Sequence, residues 1–318
     1  MKVLLTGANG FLGRQVLSFS QRRGLEVLAC ARSADALSPL WVNSPDLGPT
    51  ADWGVLLSGI DVVIHTAGIA HRLGQGGVDL LQQFDRVNVV GTLTLAQQAL
   101  QAGVKRFIFI SSIGVNGAET TGNSFLTESS TPAPRAAYAI SKHQAEIRLK
   151  ELLHGSPMEL VVIRPPLVYG AHAPGNFHRL LKLVAARIPL PFSRVRNRRS
   201  MVALENLADF IVHCVDHPAA ANELFLISDG IDISTPGIIH HLAAGMGHGS
   251  CLLPVPVALM RCCAMLLGKE PVYTQLCGSL VIDSSKARDL LGWTPQITPE
   301  QALFKAGQDY QQRLASRS

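Results

Sequence analysis

The stretch that decides the fold is the first one read: Lys2-Val3-Leu4-Leu5-Thr6-Gly7-Ala8-Asn9-Gly10-Phe11-Leu12-Gly13, KVLLTGANGFLG. A short apolar run predicts a buried strand over 2–6, and the pattern that follows predicts a helix over 11–23. The glycines between them let the backbone approach a pyrophosphate, with the helix N-terminus facing its charge. The spacing is GxxGxxG, and a tight turn alone also needs glycines. The strand before and the helix after supply the context a dinucleotide site requires.

Outward from this unit, strand and helix patterns alternate. Strands are predicted at 25–31, 61–67, 106–112 and 158–165, with helices at 80–102 and 136–153. Near-continuously apolar strands joined by helices imply a parallel sheet covered on both faces, an α/β Rossmann-like doubly wound fold. From about residue 170, prolines at 174, 189, 191, 218, 236, 254 and 256 punctuate shorter elements. The expected organisation is a dinucleotide-binding unit over 1–170 and a smaller, mainly substrate-binding α/β region over 171–318, partly interleaved with the first. Asp283-Ser284-Ser285-Lys286 reads as a helix N-cap.

The chain has 318 residues, 47% hydrophobic, and a mean hydropathy of +0.22, which excludes a disordered protein. A net charge of +5 favours anionic partners. Arg194, Arg196, Arg198 and Arg199 form one basic cluster without interleaved aromatics, which disfavours nucleic acid. The six cysteines form no CxxC pair and show no zinc spacing, so no metal is expected and a reducing cytoplasm fits. Cys30 and Cys262 sit in apolar runs, as buried thiols do. The N-terminus lacks signal-peptide features. The apolar run 255–267 is too short to span a bilayer and contains Arg261; it reads as an amphipathic helix against a core or a partner subunit.

Two further features carry chemistry. Tyr138 and Lys142 in YAISK lie one turn apart on a helix face. A phenol titrates near ~10, and an adjacent ammonium lowers that value, so the pair can pass a proton to or from a carbonyl oxygen. Such a pair is also ordinary helix surface. FISS (109–112), however, ends a strand with two serines where ligands bind in open α/β sheets, and a hydroxyl there can meet the same oxygen.

TGANGFLG, HTAG (65–68), NVVGT (88–92), FISS, YAISK and RPPLVYG (164–170) occur in the order that resembles extended short-chain dehydrogenase/reductases, in their nucleotide-sugar epimerase/dehydratase/reductase branch. RNRRSMVALENLADFI (196–211) and DSSKARDLLGWTP (283–295) extend the likeness over nearly the whole chain. The resemblance implies catalysis by Ser112, Tyr138 and Lys142. It implies a cofactor held by Gly7, Asn9, Gly10, Phe11, Leu12, Gly13, Ala67, Tyr138, Lys142 and Pro165, with Asp46-Leu47 beside the adenine. It implies a sugar nucleotide met by Ser112, Asn176, Phe192 and Arg199, and a homodimer through helices near 90–102 and 136–153.

Departures narrow the reading. Ile113-Gly114 replaces the Asp-Glu pair that follows the catalytic serine or threonine in sugar dehydratases. Leu167 stands about where hexose 4-epimerases often carry asparagine, and an arginine usual ahead of the C-terminal segment is missing from 273–279. At the end of the second strand Ala31-Arg32 stands where a carboxylate would hold the ribose diol. An arginine there pairs with a 2′-phosphate, so NADP is expected over NAD, with Arg14 approaching the same region. A solvent-facing Arg32 is the plainer alternative.

The RNRRS, HPAAANELFLISDG (217–230) and LLPVP (252–256) segments resemble bacterial reductases of UDP-4-keto-6-deoxy-N-acetylhexosamines, which feed surface polysaccharide. The expected function is that NADPH-dependent 4-ketoreduction. A UDP-hexose or UDP-N-acetylhexosamine 4-epimerase is the alternative. A ketone or steroid-type reductase and a non-catalytic cofactor-sensing protein lie further off. His71 and Arg72 are left open between substrate contact and a polar loop.

Overall fold

The computed structural model describes residues 1–32, 41–70 and 78–316. His71 and Arg72 lie outside the described residues. Among those described, seven parallel strands form one sheet: β1 (Lys2–Thr6), β2 (Glu26–Ala31), β3 (Trp41–Asn43), β4 (Val62–His65), β5 (Arg106–Ile110), β6 (Glu159–Arg164) and, after a two-stranded pair, β9 (Leu224–Leu226). Their order is β3-β2-β1-β4-β5-β6-β9. The pair is β7 (Leu167–Tyr169) with β8 (Met201–Ala203), parallel and separate.

The strands β1, β4, β5 and β6 are buried on both faces, which is why they read as unbroken apolar runs. The helices are α1 (Phe11–Arg22), α2 (Gly54–Leu57), α3 (Val78–Phe84), α4 (Gly91–Gln101), α5 (Ala137–Leu153), α6 (Asn176–Ala185), α7 (Leu204–His213), α8 (Thr235–Gly245), α9 (Val257–Leu266), α10 (Glu270–Cys277), α11 (Ser285–Leu291) and α12 (Pro299–Ala315). One face of the sheet packs Val16, Leu207, Phe210 and Ile211 of α1 and α7. The other packs Leu95, Ala99 and Leu149 of α4 and α5 with Trp53. A further core joins α6, α8 and α12 around Tyr169, Leu181, Leu242 and Leu303.

Three expectations need correction. The helix foreseen over 80–102 is interrupted: a π-helical turn, Asp85–Val90, lies between α3 and α4. Cys262 is exposed, because α9 buries none of its residues. The helix expected to start at 283–286 does begin there, as α11, but its first residue is held from one position further back than a usual cap: the Asp283 carboxylate accepts from Ser285 N at 2.9 Å, and Ser284 caps nothing with its side chain.

Candidate active site

The order of the sheet reverses between β1 and β4, and the crevice above their C-terminal ends is where a doubly wound sheet takes ligands. Gly7 opens it. Its φ of +71° and the 2.8 Å that would separate a Cβ from Ala67 N admit only glycine. Gly10 N donates to Gly7 O at 2.9 Å. A Cβ on Gly13 would stand 2.1 Å from Gly7 O, so this glycine lets α1 sit against the turn. No side chain caps α1, which leaves its first N–H groups directed at the crevice.

A cleft of about 500 Å³ runs from this turn, lined by Gly7, Asn9, Gly10, Arg32, Asp46, Leu47 and Ala67 among others. Seven residues foreseen from sequence thus share one cleft. The turn, the uncapped helix terminus and the volume of the cleft fit a dinucleotide. The side chains of Phe11 and Leu12 turn away from it, Phe11 against Gly170 and Leu12 into the sheet core, and leave only their backbone N–H groups toward the crevice. Pro165 offers its carbonyl to Ile113 N at 2.9 Å. Arg14 turns back to donate to Asn9 O at 3.0 Å, while Arg32 is exposed at the cleft. Arg86, which sequence reasoning missed, also lines it.

Ser112, two residues beyond β5, has extended backbone and starts a short 3-10 turn, accepting from Gly114 N at 3.1 Å. That turn meets α5, since a Cβ on Gly114 would lie 3.1 Å from Ala139 Cβ. Lys142 is buried and donates to Ile110 O at 2.8 Å, with Nζ 4.6 Å from the Phe109 ring centroid and 5.9 Å from that of Tyr138. Ser112, Tyr138 and Lys142 therefore border one place at the end of β5.

The electrostatics there differ from expectation. Burial pushes Tyr138 up to about 12, although part of its side chain is exposed. Burial pulls Lys142 down to about 8, against a raising effect from the Glu146 carboxylate. Lys142 is bonded to a carbonyl and set back from the phenol, so the foreseen lowering of Tyr138 is not present. Tyr138 is a firm holder of its proton at neutral pH.

Beneath these residues lies a polar network that sequence reasoning did not see. Thr92 Oγ1 donates to Asn88 O at 2.8 Å, so its 3.0 Å contact with His65 Nε2 is one in which the ring donates. That assigns the proton to Nε2 and leaves Nδ1 to accept from Thr6 Oγ1 at 2.7 Å. His65 stays neutral, lowered to about 3 by burial and then by the Lys142 charge. Asn88, in the π-helical turn, exchanges two 3.0 Å bonds with Ile69 and donates to Ser141 Oγ at 3.1 Å. The glycine turn, the HTAG segment and α5 are thereby tied together. NVVGT was visible as a motif; only the fold shows what its asparagine and threonine join.

A second buried set stands one turn further along α5. Glu146 accepts from Arg164 Nε at 2.9 Å, from a second Arg164 nitrogen, and from Ser111 Oγ. Arg164 also donates to Asn116 Oδ1 at 2.9 Å.

On the substrate side the foreseen residues spread out. Arg199 is buried and donates to Gly278 O at 3.1 Å. Among the described residues no carboxylate ion pair to it is found, so it keeps donors for an anion. Asn176 opens α6 and donates to Gln275. Phe192 is buried and lines a different, apolar groove with Met260 and Leu276. Ile113, where dehydratases carry an acid, lies in a small core with Leu226, Leu280 and Ile282.

Residues 3–228 match the NAD dependent epimerase/dehydratase family. The chain is 39% identical over 314 residues to a UDP-glucose 4-epimerase of Vibrio cholerae, covering 98% of this chain and 95% of that one. Among solved structures, a short-chain dehydrogenase/reductase superfamily protein from Agrobacterium tumefaciens with bound NAD superposes with a TM-score of 0.78 at 19% identity, covering 100% of this chain and 99% of that one. A UDP-glucose-4-epimerase from Stenotrophomonas maltophila, solved with NAD and formylated UDP-arabinopyranose, gives 0.80 at 19% identity, with 100% of both chains covered. These structures share the seven-stranded Rossmann-like fold.

Proposed function

The chain belongs to the NAD dependent epimerase/dehydratase family, and we propose that within it this protein is an NADPH-preferring reductase. Its substrate in this reading is a UDP-linked 4-keto-6-deoxy-N-acetylhexosamine, a precursor of surface polysaccharide, and the ketone reduced is at C4. The observation that carries the reading is Arg32 in the cofactor cleft, with alanine before it and no acid at the end of β2. A guanidinium there favours a 2′-phosphate, and an external hydride donor suits net reduction.

The cofactor supplies the hydride. Tyr138, protonated throughout the neutral range, donates its proton to the C4 oxygen as negative charge develops there. Ser112 holds that oxygen by its hydroxyl. Lys142 provides the nearby positive charge, is anchored by Ile110 O, and would hold the ribose on the nicotinamide side. Arg199 meets the diphosphate. An apolar side chain at 113 removes the acid that dehydration needs. A homodimer through α4 and α5, where Ile140 and Ile147 are exposed, completes the reading.

The test is to incubate the protein with UDP-4-keto-6-deoxy-GlcNAc and follow NADPH and NADH oxidation separately. Oxidation of NADPH at the faster rate supports the reading. For the Arg32→Ala variant, the NADPH dissociation constant is expected to rise roughly tenfold to a hundredfold while that for NADH hardly moves. Equal NADPH affinity in variant and parent would remove Arg32 from the argument.

The second reading is a UDP-sugar 4-epimerase, favoured by the 39% identity to the Vibrio cholerae enzyme. Interconversion of UDP-GlcNAc and UDP-GalNAc, or of UDP-glucose and UDP-galactose, without net oxidation of either cofactor would put it first.

A further inference from the structure

Two stretches, 171–200 and 248–282, hold nine of the chain's 28 Lys and Arg residues but one of its 23 Asp and Glu residues, Glu270. The remainder of the chain is net negative, although the whole carries +5. The two stretches meet in space. Leu190 N donates to Cys251 O at 2.9 Å, Leu253 N to Leu190 O at 2.8 Å, and Ser193 N to Leu253 O at 3.2 Å. The α9–α10 hairpin stands on this junction, enclosing with Pro191 and Phe192 an apolar groove of about 340 Å³.

The hairpin is apolar outward as well as inward. Neither α9 nor α10 buries a residue. Leu259, Leu266 and Leu267 are 54%, 87% and 72% exposed, and Ile188, Leu253, Met265 and Val272 are exposed around them. Contiguous exposed apolar surface marks a binding face. Arg187, Arg194, Arg196, Arg261 and Lys269 belong to the same stretches.

We propose that this face docks on a lipid bilayer with anionic headgroups. The hairpin lies in the interface, its leucines reach the acyl boundary, and the basic residues around it meet the headgroups. Among the described residues no helix is long and apolar enough to cross a membrane, so the contact is superficial. A second copy of the chain is the poorer occupant, because an isologous contact sets two strongly positive faces against each other. The C-terminal end of α10 leads directly to Gly278, whose carbonyl holds Arg199, so the docked element borders the anion-facing arginine.

The experiment is flotation of the full chain with vesicles of phosphatidylcholine alone and of phosphatidylcholine mixed with phosphatidylglycerol. The expected result is binding to the anionic vesicles, weakened by salt. Leu266→Ser/Leu267→Ser is expected to reduce that binding roughly tenfold or more, and Arg261→Gln/Lys269→Gln to reduce it by a comparable factor. NADPH affinity, read on the same variants, should stay at the parent value. Failure of the parent to float with anionic vesicles would overturn the proposal, as would equal flotation of both variants. A parent that stays unbound while Leu266→Ser/Leu267→Ser lowers its oligomeric mass would assign the face to a second copy. None of these outcomes depends on which sugar is reduced.

Discussion

Tyr138→Phe is expected to bind NADPH with the parent's affinity and to reduce substrate roughly a hundredfold to ten-thousandfold more slowly. The substitution removes one oxygen and leaves the ring beside Phe84, whose centroid lies 6.2 Å away. The fold and the cleft therefore stay as they are, and the loss falls on kcat. Single-turnover rates with saturating NADPH measure it. Retention of the parent's rate would show that another group protonates the ketone. The pH dependence supplies a second check. Tyr138, at about 12, remains an acid across the working range, whereas Lys142 loses its charge as pH rises through about 8. In the parent, kcat/KM for reduction should fall above about pH 8, because the free protein's Lys142 sets that limb.

What was legible in the sequence, of the fold and of the candidate site, was its local features, for a physical reason. Glycines at 7, 10 and 13 and the YAISK helix are local: each acts through its own backbone or through a neighbour one turn away. The central strands were legible because burial on both faces leaves them no polar positions. The edge strands β3 and β9 have only three residues each, too few for periodicity to register. Nor does helical spacing mark the π-helical turn at 85–90, where one extra residue aims Asn88 at both Ile69, just beyond HTAG, and Ser141 of α5. The pKa values were the least legible part. The Tyr138–Lys142 spacing suggests mutual stabilisation, but burial dominates both groups and drives them in opposite directions. For α9 the apolar run suggested an amphipathic helix against a core or a partner subunit; Val257 and Met260 do pack on the core around α6, α8 and α12, while Leu259, Met265 and Leu266 stay exposed.

Glu146 and Arg164 carry the second large effect. Both are almost wholly buried, and the pair is anchored by Ser111 on one side and Asn116 on the other. Glu146→Leu leaves the Arg164 guanidinium buried without its counter-charge, at a cost of about 3–5 kcal/mol in chemical denaturation. Arg164→Met leaves the carboxylate in the same position and should cost a comparable amount. Removing both at once strands no charge. Glu146→Leu/Arg164→Met should therefore be less damaged than either single variant, the remaining loss being the unmade bonds of Ser111 and Asn116. A double variant as unstable as the sum of the singles would mean that the two charges do not compensate each other. The pair also reaches the chemistry. The Glu146 carboxylate raises Lys142 against the burial that lowers it. In the milder Glu146→Gln that support is gone, so Lys142 gives up its proton at a lower pH than about 8 and the alkaline limb of kcat/KM moves down with it. A role confined to stability would lower the denaturation midpoint and leave the limb in place, so the two measurements on one variant separate a structural ion pair from one that holds the charge of Lys142.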